Sequence, residues 1–136
     1  MAAESTIQDN IIDYINSLPY GRAENVSGNA NQSGRADINA CVHGRAFKIE
    51  VKTEDTSYGR QGATTKQRLY LEKWARAGAF SCIVYNVDDV KWVLITCGFG
   101  SILGDAFIPY LNRELKLSGR GKWYDVQNKR WVDISY

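Results

Sequence analysis

Asp37, Glu50 and Lys52 are the residues whose types and spacing suggest chemistry, because each falls on the polar side of a stretch that alternates strictly. In an extended strand, side chains point to opposite faces with period two. Phe47, Ile49 and Val51 therefore share one face, and Lys48, Glu50 and Lys52 share the other. The preceding stretch splits likewise, with Ala36, Ile38, Ala40 and Val42 on its apolar face and Asp37, Asn39 and Cys41 on its polar face. His43-Gly44 lies between the two stretches and suits a two-residue hairpin whose central residues take positive φ. That loop pairs Val42 with Arg45, Ala40 with Phe47 and Ile38 with Ile49, and it sets Asp37 opposite Glu50. A three-residue loop would mix the faces, which burial of one side penalises.

Two carboxylates facing each other across a ladder repel, so a pair kept for stability alone is unfavourable. A divalent cation between them resolves the conflict, since Mg²⁺ takes one or two carboxylates together with water and phosphate oxygens. Lys52 adds a fixed positive group on the same face. Phosphodiester hydrolysis needs this combination: a metal to polarise the phosphate and a cation to steady the attacking water and the developing charge. Mg²⁺ is the expected cofactor and Mn²⁺ an acceptable substitute.

Asp37 followed by Glu50-Val51-Lys52 resembles the active-site signature of the PD-(D/E)XK nuclease superfamily. The surroundings resemble its VRR-NUC family, the small virus-type nuclease domains, from about residue 4 to about residue 90. Glu4, Gly34 and Thr64-Thr65-Lys66-Gln67 carry that narrower likeness; Ala36 departs from it, standing where proline is frequent. The resemblance implies an α/β fold with a restriction-endonuclease-like core, a small mixed central sheet flanked by helices. It also implies metal ligation by Asp37, Glu50 and the Val51 carbonyl, an auxiliary acid at Glu4, and a Gln67 that faces the metal site. The implied reaction is in-line attack leaving a 5′-phosphate, by a metal-dependent DNA endonuclease acting as a homodimer on branched DNA such as four-way (Holliday) junctions, in recombination or repair. The alternatives are a sequence-specific restriction-type endonuclease, or a non-catalytic DNA-binding or assembly protein on the same fold.

The 136 residues suit one domain, with a core over about 1–96 and an extension over about 97–136. Lys and Arg number 17 against 15 Asp and Glu, so any DNA-binding surface must come from the distribution of charge. Three scattered cysteines and one histidine exclude a disulfide framework and a recognisable zinc site. No long apolar run or signal peptide is visible, and the expectation is a bacterial or phage-encoded protein working in the cytoplasm without membrane contact.

Ile7, Ile11, Ile15 and Leu18 recur at helical spacing until Pro19-Tyr20-Gly21. Glu4 projects near that apolar stripe, although the positive end of the helix dipole also explains an acid there. Residues 21–34 read as an irregular or weakly paired strand and loop, with Arg22 and Arg35 at its edges as candidate phosphate contacts. Residues 53–63 read as a polar loop carrying Tyr58 and Arg60, a candidate DNA-contacting flap. Thr64 to Gln67 fits a capping box for a helix presenting Leu71, Trp74 and Ala75 and ending at Gly78; Lys66, at its positive end, is a candidate contact for a backbone phosphate of DNA.

Residues 80–86 are expected to form a buried third strand, and residues 88–96 a helix capped by Asp88 in preference to a strand. A further helix is expected over about 101–117, and then a terminal hairpin of residues 123–126 and 130–134. Arg120, Lys122, Lys129 and Arg130 make this end the best basic patch outside the core, with Arg120 and Lys122 as candidate DNA contacts. Trp92, Phe99, Phe107, Trp123 and Trp131 either complete the monomer or supply a dimer surface.

Overall fold

The computed structural model describes residues 3–26, 35–99 and 114–135. The chain runs α1 (Glu4–Ser17), β1 (Gly21–Asn25), β2 (Ile38–Val42), β3 (Arg45–Val51), α2 (Ser57–Arg60), α3 (Thr65–Arg76), β4 (Phe80–Val84) and α4 (Val87–Leu94). A π-helical segment Ile95–Phe99 extends α4, and β5 (Lys122–Asp125) with β6 (Arg130–Asp133) follow. All six strands form one sheet in the order β1-β2-β3-β4-β5-β6. Among the described strands only β3 and β4 are parallel, with α3 carried in the connection between them.

The central hairpin adopts the register expected from its alternation: Ile38 pairs with Ile49, Ala40 with Phe47 and Val42 with Arg45. His43 and Gly44 have φ of 49° and 85°, the two positive values of a primed turn. One sheet face packs Ile38, Phe47, Ile49, Val51, Cys82 and Val84 against Ile11 and Ile15 of α1 and Val90, Val93 and Leu94 of α4. The other face packs Ala36, Ile83 and Tyr85 against Leu71 of α3. Burial of each large apolar side chain contributes on the order of 1.5–3 kcal/mol. The two apolar faces thus hold the sheet between helices while the polar positions of β3 stay under α3.

Several expectations change. Residues 21–25 are a regular strand antiparallel to β2, since edge pairing needs only backbone groups and tolerates Arg22 and Glu24 on the solvent side. Residues 27–34 of the expected loop lie outside the described residues. The polar loop after Lys52 contains the one-turn helix α2, where the Thr56 side chain, as N-cap, accepts from the Gly59 N–H. The third strand becomes the fourth, because β1 precedes it. In α3, Leu71 and Ala75 are buried but Trp74 is 41% exposed, its ring lying over Lys48.

Residues 87–94 are helical as expected, but Asn86 and not Asp88 is the cap: its side-chain oxygen accepts from the Asp89 N–H at 2.7 Å. Most of the helix expected over 101–117 lies outside the described residues, and residues 115–117 are not helical. The terminal hairpin forms, and it also extends the central sheet, with Trp123 stacking on Phe80.

Asp89, fully buried, ties this last part to the core. Its carboxylate accepts from the Tyr85 N–H and from both the N–H and the hydroxyl of Ser118, at 2.7 to 3.0 Å. A Cβ on Gly121 would come within 2.9 Å of Asp89 Oδ2, so the chain enters β5 in direct contact with this carboxylate. Asp89→Ala should lower stability by about 3 kcal/mol by orphaning buried donors, whereas Asp88→Ala, at a half-buried position, should cost much less. Urea unfolding checks this, and equal midpoints for the two variants would contradict the anchoring role.

Candidate active site

The polar face of β3 carries the site. Asp37 is the residue just before β2, one step beyond the Ile38–Ile49 pair, and so faces Glu50. Its Oδ2 accepts the Val51 N–H at 2.8 Å, which holds the carboxylate over the end of β3. Glu50 is only 2% exposed and Lys52 5% exposed. The Glu50 Oε1 atom accepts from Gln67 Nε2 at 3.0 Å and lies 3.5 Å from Lys52 Nζ. Its Oε2 atom is buried without a hydrogen-bond partner.

Gln67 does two jobs with one amide. Its Oε1 accepts the Thr64 N–H at 2.9 Å, and Thr64 Oγ1 accepts the Gln67 N–H at 3.2 Å, which completes the capping box. Its Nε2 is thereby turned toward Glu50. The helix cap and the site contact, separate readings of the sequence, are two ends of one side chain.

Electrostatics single out the same residues. Burial, and then the negative charge of Asp37, push the Glu50 carboxyl up to about 9, with Lys52 pulling the other way. Burial also raises Asp37, opposed by its hydrogen bonds and by Lys52. Glu4, the first residue of α1, is half-buried and likewise raised by burial and by Asp37, while Lys52 lowers it. Glu4 thus lies within electrostatic reach of Asp37, Glu50 and Lys52.

Among the described residues, no three acid, histidine or cysteine side chains converge as a ready metal cage. The donors at hand are two facing carboxylates and nearby backbone carbonyls, and that set suits Mg²⁺, which keeps much of its own water. Glu50 Oε2 is a buried oxygen lacking a partner, which is where a cation fits. Val51 directs its side chain into the core and its N–H to Asp37.

The expected DNA contacts separate. Arg60, Arg120 and Lys122 line one cavity. Arg60 donates to the Glu54 carbonyl, Arg120 pairs with Glu54 at 3.6 Å and Lys122 pairs with Asp133. Arg130 sits 4.0 Å from Asp125, so much of the basic charge at this end is paired. Arg35 lies near enough to Lys48 to help lower its pKa, after burial. Arg22 is exposed on β1, opposite Cys41, four strand positions from Asp37 and so roughly 13 Å away along the ladder. Lys66 is exposed in the first turn of α3.

Two further neighbours enter here: Tyr58, placed on the expected flap without a role of its own, and Arg68, which no sequence pattern singles out. Tyr58, 66% exposed on α2, sets its ring 5.8 Å from Lys52 Nζ. Arg68, next to Gln67, joins the basic cavity. Tyr58 had a signal in its place on the segment following β3, whereas Arg68 had none, because helical periodicity alone assigns it to a flank of α3.

No protein-family model and no curated protein matches the sequence. Solved structures do match in fold. A structure described as a VRR_NUC domain is 23% identical, with a TM-score of 0.52, over 68% of this chain and 94% of that one. A VRR_NUC domain protein is 18% identical, with a TM-score of 0.54, over 75% of this chain and 91% of that one. Hjc, a Holliday junction resolvase from the archaeon Archaeoglobus fulgidus, is 17% identical over 60% of this chain and 67% of that one, with a TM-score of 0.48. The chain thus has the α/β, restriction-endonuclease-like fold of VRR_NUC domains, as the residues around Asp37 and Glu50 led us to expect.

Proposed function

We propose that this protein is a metal-dependent endodeoxyribonuclease. The observation that carries the reading is Glu50: a buried carboxylate facing Asp37, with one oxygen held by Gln67 and Lys52 and the other unpartnered. Asp37, Glu50 and the Val51 carbonyl would hold Mg²⁺, with Mn²⁺ as a substitute. The cation, when bound, supplies Lewis acidity toward a phosphate oxygen and makes water more acidic.

This chain's own residues do the rest. Lys52, kept beside Glu50, orients the attacking water and offsets negative charge growing on the phosphate. Water oxygen bonds to phosphorus in line with the departing 3′-oxygen, which leaves as the hydroxyl, so the product end carries a 5′-phosphate. Gln67 fixes the Glu50 rotamer through a bond that the α3 cap keeps aligned. Glu4 adds negative charge at the rim, and Tyr58 offers an exposed ring for a base beside the scissile group.

Our finer reading is a homodimer that resolves four-way junctions. One chain brings one such acid pair, so cutting two opposed strands takes two copies, and a two-fold dimer matches a two-fold junction. Trp92 and Trp123 pack against the main core and Trp131 against the second cluster, so those rings are not a spare surface. Phe107 lies outside the described residues. A dimer contact would draw instead on exposed side chains such as Leu69 and Trp74 of α3.

Asp37→Ala, Glu50→Ala and Lys52→Ala should each reduce Mg²⁺-dependent cleavage by on the order of 10²–10⁴-fold while circular dichroism stays native. Gln67→Ala, one step removed, should cost about 10–100-fold. Cleavage that persists in chelator, or wild-type turnover in any of the first three variants, would remove the assignment. A four-way junction should be cut faster than linear duplex of the same sequence, by a species that light scattering weighs as a dimer; a monomer with equal rates on both leaves a general nuclease.

A pH test follows from the two raised carboxyls. The native state binds their protons more tightly than the unfolded chain does, so this contribution to stability is complete at low pH. It is lost as pH rises above the ordinary carboxylate range, where the unfolded chain titrates, toward about 9, where native Glu50 does. The melting temperature of the metal-free protein should therefore fall across that window, and Glu50→Gln should flatten the fall. Mg²⁺ or Mn²⁺, which replaces those protons, should raise the melting temperature more at the alkaline end. A metal effect independent of pH would count against Asp37 and Glu50 as the ligands.

A further inference from the structure

One row of paired residues crosses the sheet from the candidate catalytic acids to a second feature. Glu50 on β3 pairs with Ile83 on β4, Ile83 with Lys122 on β5, and Lys122 with Asp133 on β6. Directly paired residues point to the same face, so Lys122 lies on the Glu50 side, two strands over, at about 10 Å.

There the structure forms a cavity of about 280 Å³ between the Arg60–Ala63 segment, α3 and the entry to β5. Arg60, Arg68, Arg120 and Lys122 line it against the single acid Asp133. Ile83, the partner of Glu50, forms part of its wall. Arg68 is its least satisfied cation: its Nε is buried without a hydrogen-bond partner, and its guanidinium rests 6.0 Å from the Trp131 ring centre. Gly62 and Gly119, at φ of 83° and 75°, also line the cavity, where the lack of side chains leaves room for close approach.

We propose that this cavity is a phosphate-binding subsite, anchored by Arg68, that grips a second phosphate of the nucleic acid whose scissile group lies at Glu50. Planar guanidinium groups match phosphate oxygens two at a time. Arg120 and Lys122 already have acids beside them, so Arg68, with Arg60, is the charge left to take an anion, and a strand lying across β3 to β5 brings one there. The subsite carries no sequence information; it sets where along the strand the acids act. This rests on the nuclease reading of Glu50, although phosphate capture itself does not require cleavage. The phosphate is either an internal diester flanking the cut or a terminal 5′-phosphate.

Three measurements on the full chain test it, with Arg68→Gln, Arg68→Lys and Arg60→Gln; Arg60 is exposed, so its replacement should leave the fold intact, which circular dichroism checks. In chelator, inorganic phosphate should raise the melting temperature of the wild type and have little effect on Arg68→Gln. For oligonucleotide binding, the slope of log affinity against log salt should shrink by about 1 in both Gln variants. In cleavage, KM should rise about tenfold with kcat within about twofold, since the contact holds ground and transition states alike. Arg68→Lys should restore the salt slope but only part of the KM, because a lysine keeps the charge and loses the fork.

A single methylphosphonate next to the cut that raises KM for wild type but not for Arg68→Gln identifies an internal diester. Loss confined to 5′-phosphorylated ends identifies a terminal one. Equal phosphate stabilisation of wild type and Arg68→Gln, or unchanged salt slope and KM, overturns the subsite while leaving the nuclease standing. Arg68-dependent phosphate and oligonucleotide binding without cleavage of any substrate keeps the subsite and overturns the nuclease instead.

Discussion

Two carboxylates held against each other under a helix are the constraint around which this structure is arranged. Asp37 and Glu50 face each other because the His43-Gly44 turn leaves a single register that keeps both apolar faces intact. The repulsion is then sharpened by burial, which raises both acids above the ordinary carboxylate range. Every nearby contact answers that tension in part: the Val51 N–H holds Asp37, and Lys52 and Gln67 share one Glu50 oxygen. The remaining oxygen is buried with no donor group of another residue beside it.

The cost of the site is carried by the opposite face of the same sheet. Phe47, Ile49 and Val51 alternate with Lys48, Glu50 and Lys52, so the strand that presents the polar groups is also the centre of the main core. Its flanking strands, one antiparallel and one parallel, fix its position from both sides. The polar groups and the core thus share β3 and the residue after it without competing, because period-two alternation separates them to two faces.

The C-terminal part contributes more than an appendage would. Its hairpin adds two strands to the sheet, Asp89 clasps the chain at Ser118 on the way in, and Lys122 arrives in the row that begins at Glu50. Arg120 and Glu54 then bridge this part to the segment that follows β3. Charge that looked like a loose basic patch is mostly paired, and what remains is gathered around Arg68.

Local patterns in the amino-acid sequence determined the central hairpin, its register, the apolar stripe of α1 and the α3 capping box, because each depends on residues within a few positions and on two fixed periods. The acid pair followed, since register is set by the same alternation. Only the tertiary structure decided that residues 21–25 pair as an edge strand, for backbone bonding leaves no side-chain signature. It also decided that Asn86 caps α4 and that Asp89 is buried under a segment nearly thirty residues further on. Gln67 was legible as a cap and, through resemblance, as a site residue, but that one amide serves both follows from where α3 crosses β3. Arg68 was illegible for a related reason: a cation on a helix flank means solvent until distant strands close around it, and no local spacing encodes which strands those are.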